Sequence, residues 1–222
     1  MRVVLLGAPG AGKGTQCKNI IQKYDLVHLS SGDILRQHRE KGTQLANKAK
    51  DYMDSGALVP DELIVEMMLS AINEAPKAGF VLDGFPRTVN QAVELDEALA
   101  ATGEKVDIVL NLTVHEQVII ERLSGRRSCP KCGAVYHVVN LKPKVDNLCD
   151  NDGTELIQRP DDNPDVVKNR LRTYHRQSKP VVDYYKSRQT EIQFYEFNAN
   201  EAAEKVRDSL FEKLDALVSV QN

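Results

Sequence analysis

Near its N-terminus the chain passes directly from a short apolar run into a glycine-rich segment. Val3 to Leu6 is followed by Gly7-Ala8-Pro9-Gly10-Ala11-Gly12-Lys13-Gly14-Thr15, and a stretch with helical spacing of apolar residues comes next. A strand, a glycine loop and a helix in this order aim backbone N–H groups and the positive end of the helix dipole at one point. Lys13 adds a full charge and Thr15 a hydroxyl. The segment therefore predicts a binding loop for the phosphates of a nucleotide.

The other apolar runs are short and are separated by helical stretches. The candidate strands are Val3 to Leu6, Val27 to Leu29, Phe80 to Leu82, Val106 to Leu112 and Ile192 to Phe197. Near-continuous apolar strands that alternate with helices are typical of a parallel sheet buried on both faces. The pattern predicts an α/β fold, and the last twenty residues predict a closing amphipathic helix.

Two segments interrupt this alternation. Residues 31–59 are helical in pattern with no strand between, and Gly56 suits a helix end. Residues 122–159 hold three of the four cysteines with several glycines and prolines, which predicts a small inserted domain. Directly after it, Asn163-Pro164-Asp165 predicts a helix start with Asn163 as its cap.

Charge and hydropathy exclude several classes of protein. Lys and Arg number 29 against 32 Asp and Glu, so the net charge of −3 argues against a surface that clamps nucleic acid. No apolar run approaches the ~20 residues that span a bilayer, and the N-terminal run predicts a strand rather than a signal peptide. We therefore expect a cytoplasmic protein, in which four cysteines are metal ligands or core residues more often than disulfides.

Arginines recur beside glycine or proline and at expected helix starts. They are Arg36, Arg87, Arg122, Arg126, Arg127, Arg159 and Arg170. Guanidinium groups donate in pairs to phosphate oxygens, and the charge of a transferred phosphoryl group is stabilised mainly by position and positive charge. Switch GTPases, motor ATPases and small-molecule kinases share the phosphate loop, and the arginines favour a phosphoryl-transfer enzyme.

Taken together, these motifs resemble the adenylate kinase family in its long bacterial form with a zinc-type lid. The matching segments are GAPGAGKGT (7–15), SSGDILR (30–36), GALVPDEL (56–63), GFVLDGFPRT (79–88), RLSGRR (122–127), VYHV (135–138), RPDDN (159–163) and RLRTYH (170–175). The resemblance implies a P-loop kinase with a five-stranded parallel sheet and helices on both faces. It implies a core of residues 1–30, 60–121 and 160–222, an AMP-binding insertion at 31–59 and a lid over ATP at 122–159.

The resemblance also implies the activity, a reversible Mg²⁺-dependent transfer of the terminal phosphoryl group of ATP to AMP that gives two ADP. The partners are then small nucleotides, with no nucleic acid or membrane, and the protein is expected to be a monomer of nucleotide biosynthesis. The catalytic residues implied are Lys13, Arg87, Arg126, Arg159 and Arg170. Those for ATP are Gly10, Ala11, Gly12, Lys13, Gly14, Thr15, Arg122, Arg126, Val135, Tyr136 and Glu201.

For AMP, the resemblance implies Ser31, Arg36, Ala57, Leu58, Val59, Gly84, Phe85, Pro86, Arg87, Gln91, Arg159 and Arg170. Asp83, at the end of its strand, is the first candidate for orienting the waters around Mg²⁺ and Asp33 is the second. A charge in the first turn of a helix is a competing interpretation of Asp33.

Cysteine spacing predicts a second metal site. Cys129, Cys132 and Cys149, with Asp152, form C-x₂-C-x₁₆-C-x₂-D, which is typical of a tetrahedral structural zinc site. Such a metal would stabilise a lid too small to bury its own core. The resemblance favours Asp152 as the fourth ligand, with His137 and Asp150 as alternatives. Cys17 lies on the apolar face of the first predicted helix, which favours core packing.

Two other functions compete. A kinase for UMP or CMP belongs to the same class, but the lid length and the GALVPDEL segment favour AMP. A zinc-ribbon nucleic-acid-binding module on a P-loop protein would interleave aromatic and basic residues. Residues 122–159 carry seven basic residues and a single aromatic, Tyr136, which disfavours that alternative.

Overall fold

The computed structural model describes residues 1–75 and 78–221, and a parallel sheet forms its centre. Within these residues the strands are β1 (Arg2–Gly7), β2 (Val27–Ser30), β3 (Phe80–Asp83), β4 (Ile108–Thr113), β5 (Arg126–Ser128), β6 (Val135–His137) and β7 (Gln193–Asn198). Five of them pair in parallel in the order β2-β3-β1-β4-β7, which confirms the predicted sheet. The predicted start of β4 at Val106 is wrong, because pairing with β1 begins at Ile108 and Val106 is buried as a core residue ahead of the strand.

Helices connect the strands. In chain order they are α1 (Lys13–Tyr24), α2 (Ser31–Glu40), α3 (Gln44–Ser55), α4 (Asp61–Glu74), α5 (Val89–Ala100), α6 (Glu116–Ser124), α7 (Pro164–Thr173), α8 (Lys179–Lys186) and α9 (Ala203–Gln221). A 3₁₀ turn, Pro160–Asp162, precedes α7, and a π-helical turn, Tyr174–Ser178, joins α7 to α8. As predicted, Pro164 opens α7, and the Asn163 side chain caps it by accepting from the Asp165 N–H at 3.1 Å.

The core has two apolar layers because successive residues of a strand point to opposite faces. Val4 and Leu6 of β1 pack in one layer with residues of α4, α5 and α8. Val3 and Leu5 pack in the other with α1 and α9. The sheet is therefore covered by helices on both faces, as its continuous apolar strands predict.

The two predicted insertions leave the sheet at different points. Residues 31–59 contain α2 and α3, and Gly56, with a φ of 74°, directly follows the last residue of α3. Residues 122–159 contain the antiparallel pair β5 and β6. At the base of this second segment Ser128 and Ile157 exchange two backbone hydrogen bonds, of 2.8 and 2.9 Å, so the entering and leaving chains are joined to each other. The exact domain limits stay a prediction.

Among the described residues, no helix combines the length and apolar character needed to cross a membrane.

Candidate active site

The glycine-rich loop lies between β1 and α1. Gly12, with a φ of 94°, occupies the left-handed region and caps α1, so the helix begins at Lys13. The Lys13 ammonium donates to the carbonyl oxygens of Gly7 at 2.7 Å and Ala8 at 2.9 Å. Burial lowers the pKa of Lys13 to about 8, with nearby Asp83 opposing the shift. A phosphate entering the loop therefore meets an ammonium held in place by its own backbone.

A cleft of about 1750 Å³ opens at this loop. All the residues predicted to bind ATP or AMP line this cleft, with one exception. The two candidates for orienting the waters around Mg²⁺, Asp83 and Asp33, line it as well. The exception is Phe85, whose side chain is fully buried in the core beneath the cleft; its contact with AMP stays a prediction. The structure thus brings residues from all eight of the matching sequence segments to one cavity.

Positive charge is concentrated in this cleft. Burial, followed by the charge of Arg170, lowers the pKa of Arg87 to about 10. Burial and the charges of Arg36 and Arg126 lower the pKa of Arg159 to about 10 as well. Each guanidinium group makes the charged form of its neighbours less favourable. An anion that binds between them relieves this repulsion, so the cluster is suited to bind phosphate.

Two aspartates that the sequence analysis did not single out hold part of this cluster. Asp162 is fully buried and accepts two hydrogen bonds from Arg126, at 2.7 Å from Nε and 2.5 Å from Nη2. Arg170 lies 2.8 Å from a carboxylate oxygen of Asp161 and 3.5 Å from one of Asp162. Both aspartates belong to the segment RPDDN. Their closeness in sequence to Arg159 is the feature from which a role beside the arginines could have been predicted.

Asp83 ends β3 beside the phosphate loop. Burial opposes its ionisation, but a hydrogen bond with His28 at 3.3 Å and the charges of Lys13 and Arg87 prevail, so the pKa of this carboxyl is lowered. Cys17 is buried in the core, as predicted, and its sulfur lies within 4.8 Å of ligand atoms of His28 and Asp83. Asp83 is therefore an anion at the edge of a cationic cleft.

Asp33 is engaged differently. It lies in the first turn of α2, and its carboxylate pairs with Arg36 at 2.5 Å. The hydrogen bonds and charge of Arg36 outweigh burial and lower the pKa of Asp33. This helix-turn ion pair matches the competing interpretation of the residue.

The predicted AMP side is organised around one carbonyl group. Ser31 Oγ and Arg87 Nε both donate to the backbone oxygen of Gly84, each at 2.6 Å. The Arg87 backbone N–H donates to Gln91 Oε1 at 2.7 Å. Strand β3, helix α2 and the start of α5 thus fix the guanidinium and the amide relative to each other.

The predicted ATP side joins the core to the lid segment. Arg122, at the end of α6, donates to the Ala199 carbonyl at 2.8 Å, next to Glu201 in the cleft lining. Arg159 Nε donates to Ser128 Oγ at 2.9 Å across the base of the lid. Tyr136 lines the cleft, but its side chain is buried among the cysteines and its hydroxyl faces the Cys149 sulfur at 3.6 Å.

The lid segment brings together the four residues of the cysteine motif. Ligand atoms of Cys129, Cys132, Cys149 and Asp152 all lie within 4.8 Å of one another. The sulfurs of Cys132 and Cys149 are 3.4 Å apart, and both Asp152 oxygens lie 3.5 Å from the Cys129 sulfur.

The two alternative fourth ligands are engaged elsewhere. His137 Nδ1 accepts from the backbone N–H groups of Val139 and Asn140, each at 3.1 Å, and its Nε2 faces the Glu121 carbonyl at 3.2 Å. The Asp150 carboxylate accepts from the Lys144 N–H at 2.8 Å. The geometry therefore favours Asp152.

Comparisons with known proteins agree with one another. A family model described as adenylate kinase matches residues 5–190. The chain is 49% identical over 222 residues to an adenylate kinase of Acetivibrio thermocellus, covering 100% of both chains. It is 53% identical over 186 residues to one of Lachnospira eligens (83% of this chain, 87% of the relative), and 46% identical over 189 residues to one of Archaeoglobus fulgidus (85% and 87%).

Proposed function

Because this chain belongs to the adenylate kinase family and is an ATP:AMP phosphotransferase, a nucleoside-monophosphate kinase, we propose that it reversibly transfers the terminal phosphoryl group of Mg²⁺-bound ATP to AMP, giving two ADP. The observation that carries this proposal is that one cleft is lined by the Lys13 loop and by the Arg87, Arg159 and Arg170 guanidinium groups. A single anionic nucleotide would require fewer cationic side chains than this cleft supplies. A pair of nucleotides that meet phosphate to phosphate accounts for them.

The residues act mainly through position and charge. Lys13 exchanges its bonds to the loop carbonyls for phosphate oxygens, and the arginines offset the repulsion between two anionic nucleotides. The AMP phosphate is already an anion, so it attacks without a general base. Water in the cleft would hydrolyse ATP instead, which gives the 31–59 and 122–159 segments their role as covers over the two substrates.

The Asp83 carboxylate is suited to accept hydrogen bonds from the water molecules that would surround Mg²⁺. It is an ionised carboxylate beside the loop, and a Cβ at Gly14 would lie 3.6 Å from its Oδ2. With its waters held by Asp83, a bound Mg²⁺ would supply positive charge that offsets the charge developing on the transferred phosphoryl group. Asp33 is the second candidate, although its bond to Arg36 leaves it fewer free acceptor positions.

The lid cluster fits a structural zinc ion held by Cys129, Cys132, Cys149 and Asp152. Its donor set of three sulfurs and one carboxylate suits Zn²⁺, and all four positions come from the protein. The Cys132 backbone N–H donates to the Cys129 sulfur at 3.4 Å and the Asn151 side chain to the Cys132 sulfur at 3.6 Å. Such donors stabilise thiolates that bind a metal. The zinc ion would stabilise the lid and take no part in the chemistry.

A coupled assay with ATP and each of AMP, CMP, GMP and UMP tests the activity. We expect AMP to be the preferred acceptor, activity to require Mg²⁺, and Arg87→Ala to reduce turnover by about 10³-fold or more. Arg172→Ala, on the exposed face of α7, is the matched control and should retain activity. Faster phosphorylation of UMP than AMP, or near-normal turnover of the Arg87 variant, would overturn the proposal.

Metal analysis of the purified protein tests the zinc site. We expect one zinc per chain, lost in Cys149→Ser and kept in Cys17→Ala, whose thiol lies in the core away from the lid. Zinc retained by the Cys149 variant would contradict the assignment.

A further inference from the structure

Asp61, the first residue of α4, lies under the predicted AMP side of the cleft. Its carboxylate accepts two side-chain hydrogen bonds, from Thr88 Oγ1 to Oδ2 and from Gln91 Nε2 to Oδ1, both at 2.7 Å. Gln91 is almost fully buried but lines the cleft, and its Oε1 accepts from the Arg87 backbone N–H. The mechanism described above gives Asp61 no role.

This arrangement allows the Gln91 amide a single orientation. A carboxylate only accepts hydrogen bonds and a backbone N–H only donates them. Flipping the amide would set its oxygen against the Asp61 carboxylate and its NH₂ group against the Arg87 N–H, which loses two bonds and creates two repulsive contacts. The orientation thus follows from the chemistry of the two partners.

With one donor and one acceptor position satisfied, Gln91 keeps one N–H and one oxygen lone pair. Adenine presents an acceptor at N1 beside a donor at its 6-amino group, and this pair complements the remaining amide groups. Hypoxanthine presents the reverse, a donor at N1 and an acceptor at O6, and guanine shares that reversal. An amide held in one orientation distinguishes the two kinds of base, whereas a freely flipping amide does not.

We propose that Asp61 is a positioning residue that sets base specificity by holding the Gln91 amide in the orientation complementary to adenine. This inference rests on the proposed function, in which Gln91 contacts AMP. Asp61 itself touches no substrate.

AMP and IMP form the most direct probe, because they differ only along this edge of the base. The assay measures kcat and KM for each at saturating Mg²⁺-ATP in the wild type, Asp61→Asn and the control Glu62→Gln. An Asn side chain can donate as well as accept, so it removes the repulsive contact of the flipped amide at residue 61 and leaves only the contact at the Arg87 N–H to oppose the flip. Glu62 neighbours Asp61 in the same helix turn but is exposed, so its substitution makes the same charge change outside the network.

We expect Asp61→Asn to lower the AMP-to-IMP ratio of kcat/KM by about tenfold or more, mainly through a higher KM for AMP. The KM for ATP should be unchanged, and Glu62→Gln should keep the wild-type ratio. If Asp61→Asn loses stability or overall rate but keeps the wild-type ratio, Asp61 is only structural and the inference is refuted.

A second pair of variants covers the case in which Asp61→Asn does not fold. Thr88→Val removes one of the two bonds that fix the carboxylate, and Thr88→Ser keeps it; the AMP-to-IMP ratio should fall in the first and not in the second. An equal ratio in both refutes the inference. A wild-type protein that does not phosphorylate AMP would instead refute the proposed function, so the two failures are distinguishable.

Discussion

Replacing the buried Asp162 by Asn should destabilise the protein strongly. The wild-type carboxylate is fully buried, accepts two short hydrogen bonds from Arg126 and lies 3.5 Å from Arg170. Breaking one partner out of a buried ion pair costs about 3–5 kcal/mol. Arg126 and Arg170 keep 18% and 19% of their side-chain surface exposed, so water relieves part of the loss. We expect a reduction of about 2–4 kcal/mol in the free energy of unfolding.

Thermal melting followed by circular dichroism measures this loss. For a chain of this size, 1 kcal/mol corresponds to about 2–4 °C, so the melting temperature of Asp162→Asn should fall by about 5–15 °C. Asp165→Asn is the matched control: its ion pair with Lys168 spans 3.4 Å, both side chains are largely exposed, and the expected change is below about 1 kcal/mol.

Inorganic phosphate supplies a second measurement. With Asp162 neutralised, the two arginines carry more uncompensated charge, so added phosphate should raise the melting temperature of Asp162→Asn more than that of the wild type. If Asp162→Asn melts no lower than Asp165→Asn, the carboxylate does not stabilise the arginine cluster and the reasoning is refuted.

Three further predictions concern the loop, the metal and the base of the lid. Because burial lowers the pKa of Lys13 to about 8, kcat/KM for ATP should fall as pH rises through that value; a flat profile to pH 10 would contradict it. The same shift makes charged Lys13 destabilising below pH 8, so its contribution to the free energy of unfolding should rise between about 8 and 10.5. Chelating the metal should lower the melting temperature, with hydrogen exchange accelerating in residues 126–157 before the sheet, and adding zinc should restore both. Gly125→Ala would place a Cβ against His137 Nε2, so it should lower the free energy of unfolding in chemical denaturation by about 1–3 kcal/mol, and an unchanged stability would show that the ring moves aside freely.

Much of the fold follows from local sequence. Phe80 to Leu82 predicts a strand because a central parallel strand is buried on both faces, and Asn163-Pro164 predicts a helix start because the cap is a short-range hydrogen bond. Val106 shows the limit of this reasoning, since an apolar pattern reports burial and does not show where backbone pairing begins.

The candidate site was predictable where one motif carries the chemistry. The glycine loop and the Cys129-x-x-Cys132 turn are such motifs. His28, Asp61 and Asp162 were missed because each acts through a partner supplied by the tertiary fold, and an isolated acidic residue or histidine gives no local signal of that. Phe85 shows the opposite case: it lies within a functional motif, but its side chain belongs to the core.

The paired backbone at Ser128 and Ile157 has an evolutionary consequence. The outgoing and returning chains are bonded to each other at this neck, and the segment beyond it also contacts the end of α6, where His137 faces the Glu121 carbonyl. Its length, and even its means of cohesion, can change between descendants without moving a residue of the phosphate loop. Selection can therefore change how this segment is held together while the catalytic scaffold is inherited intact.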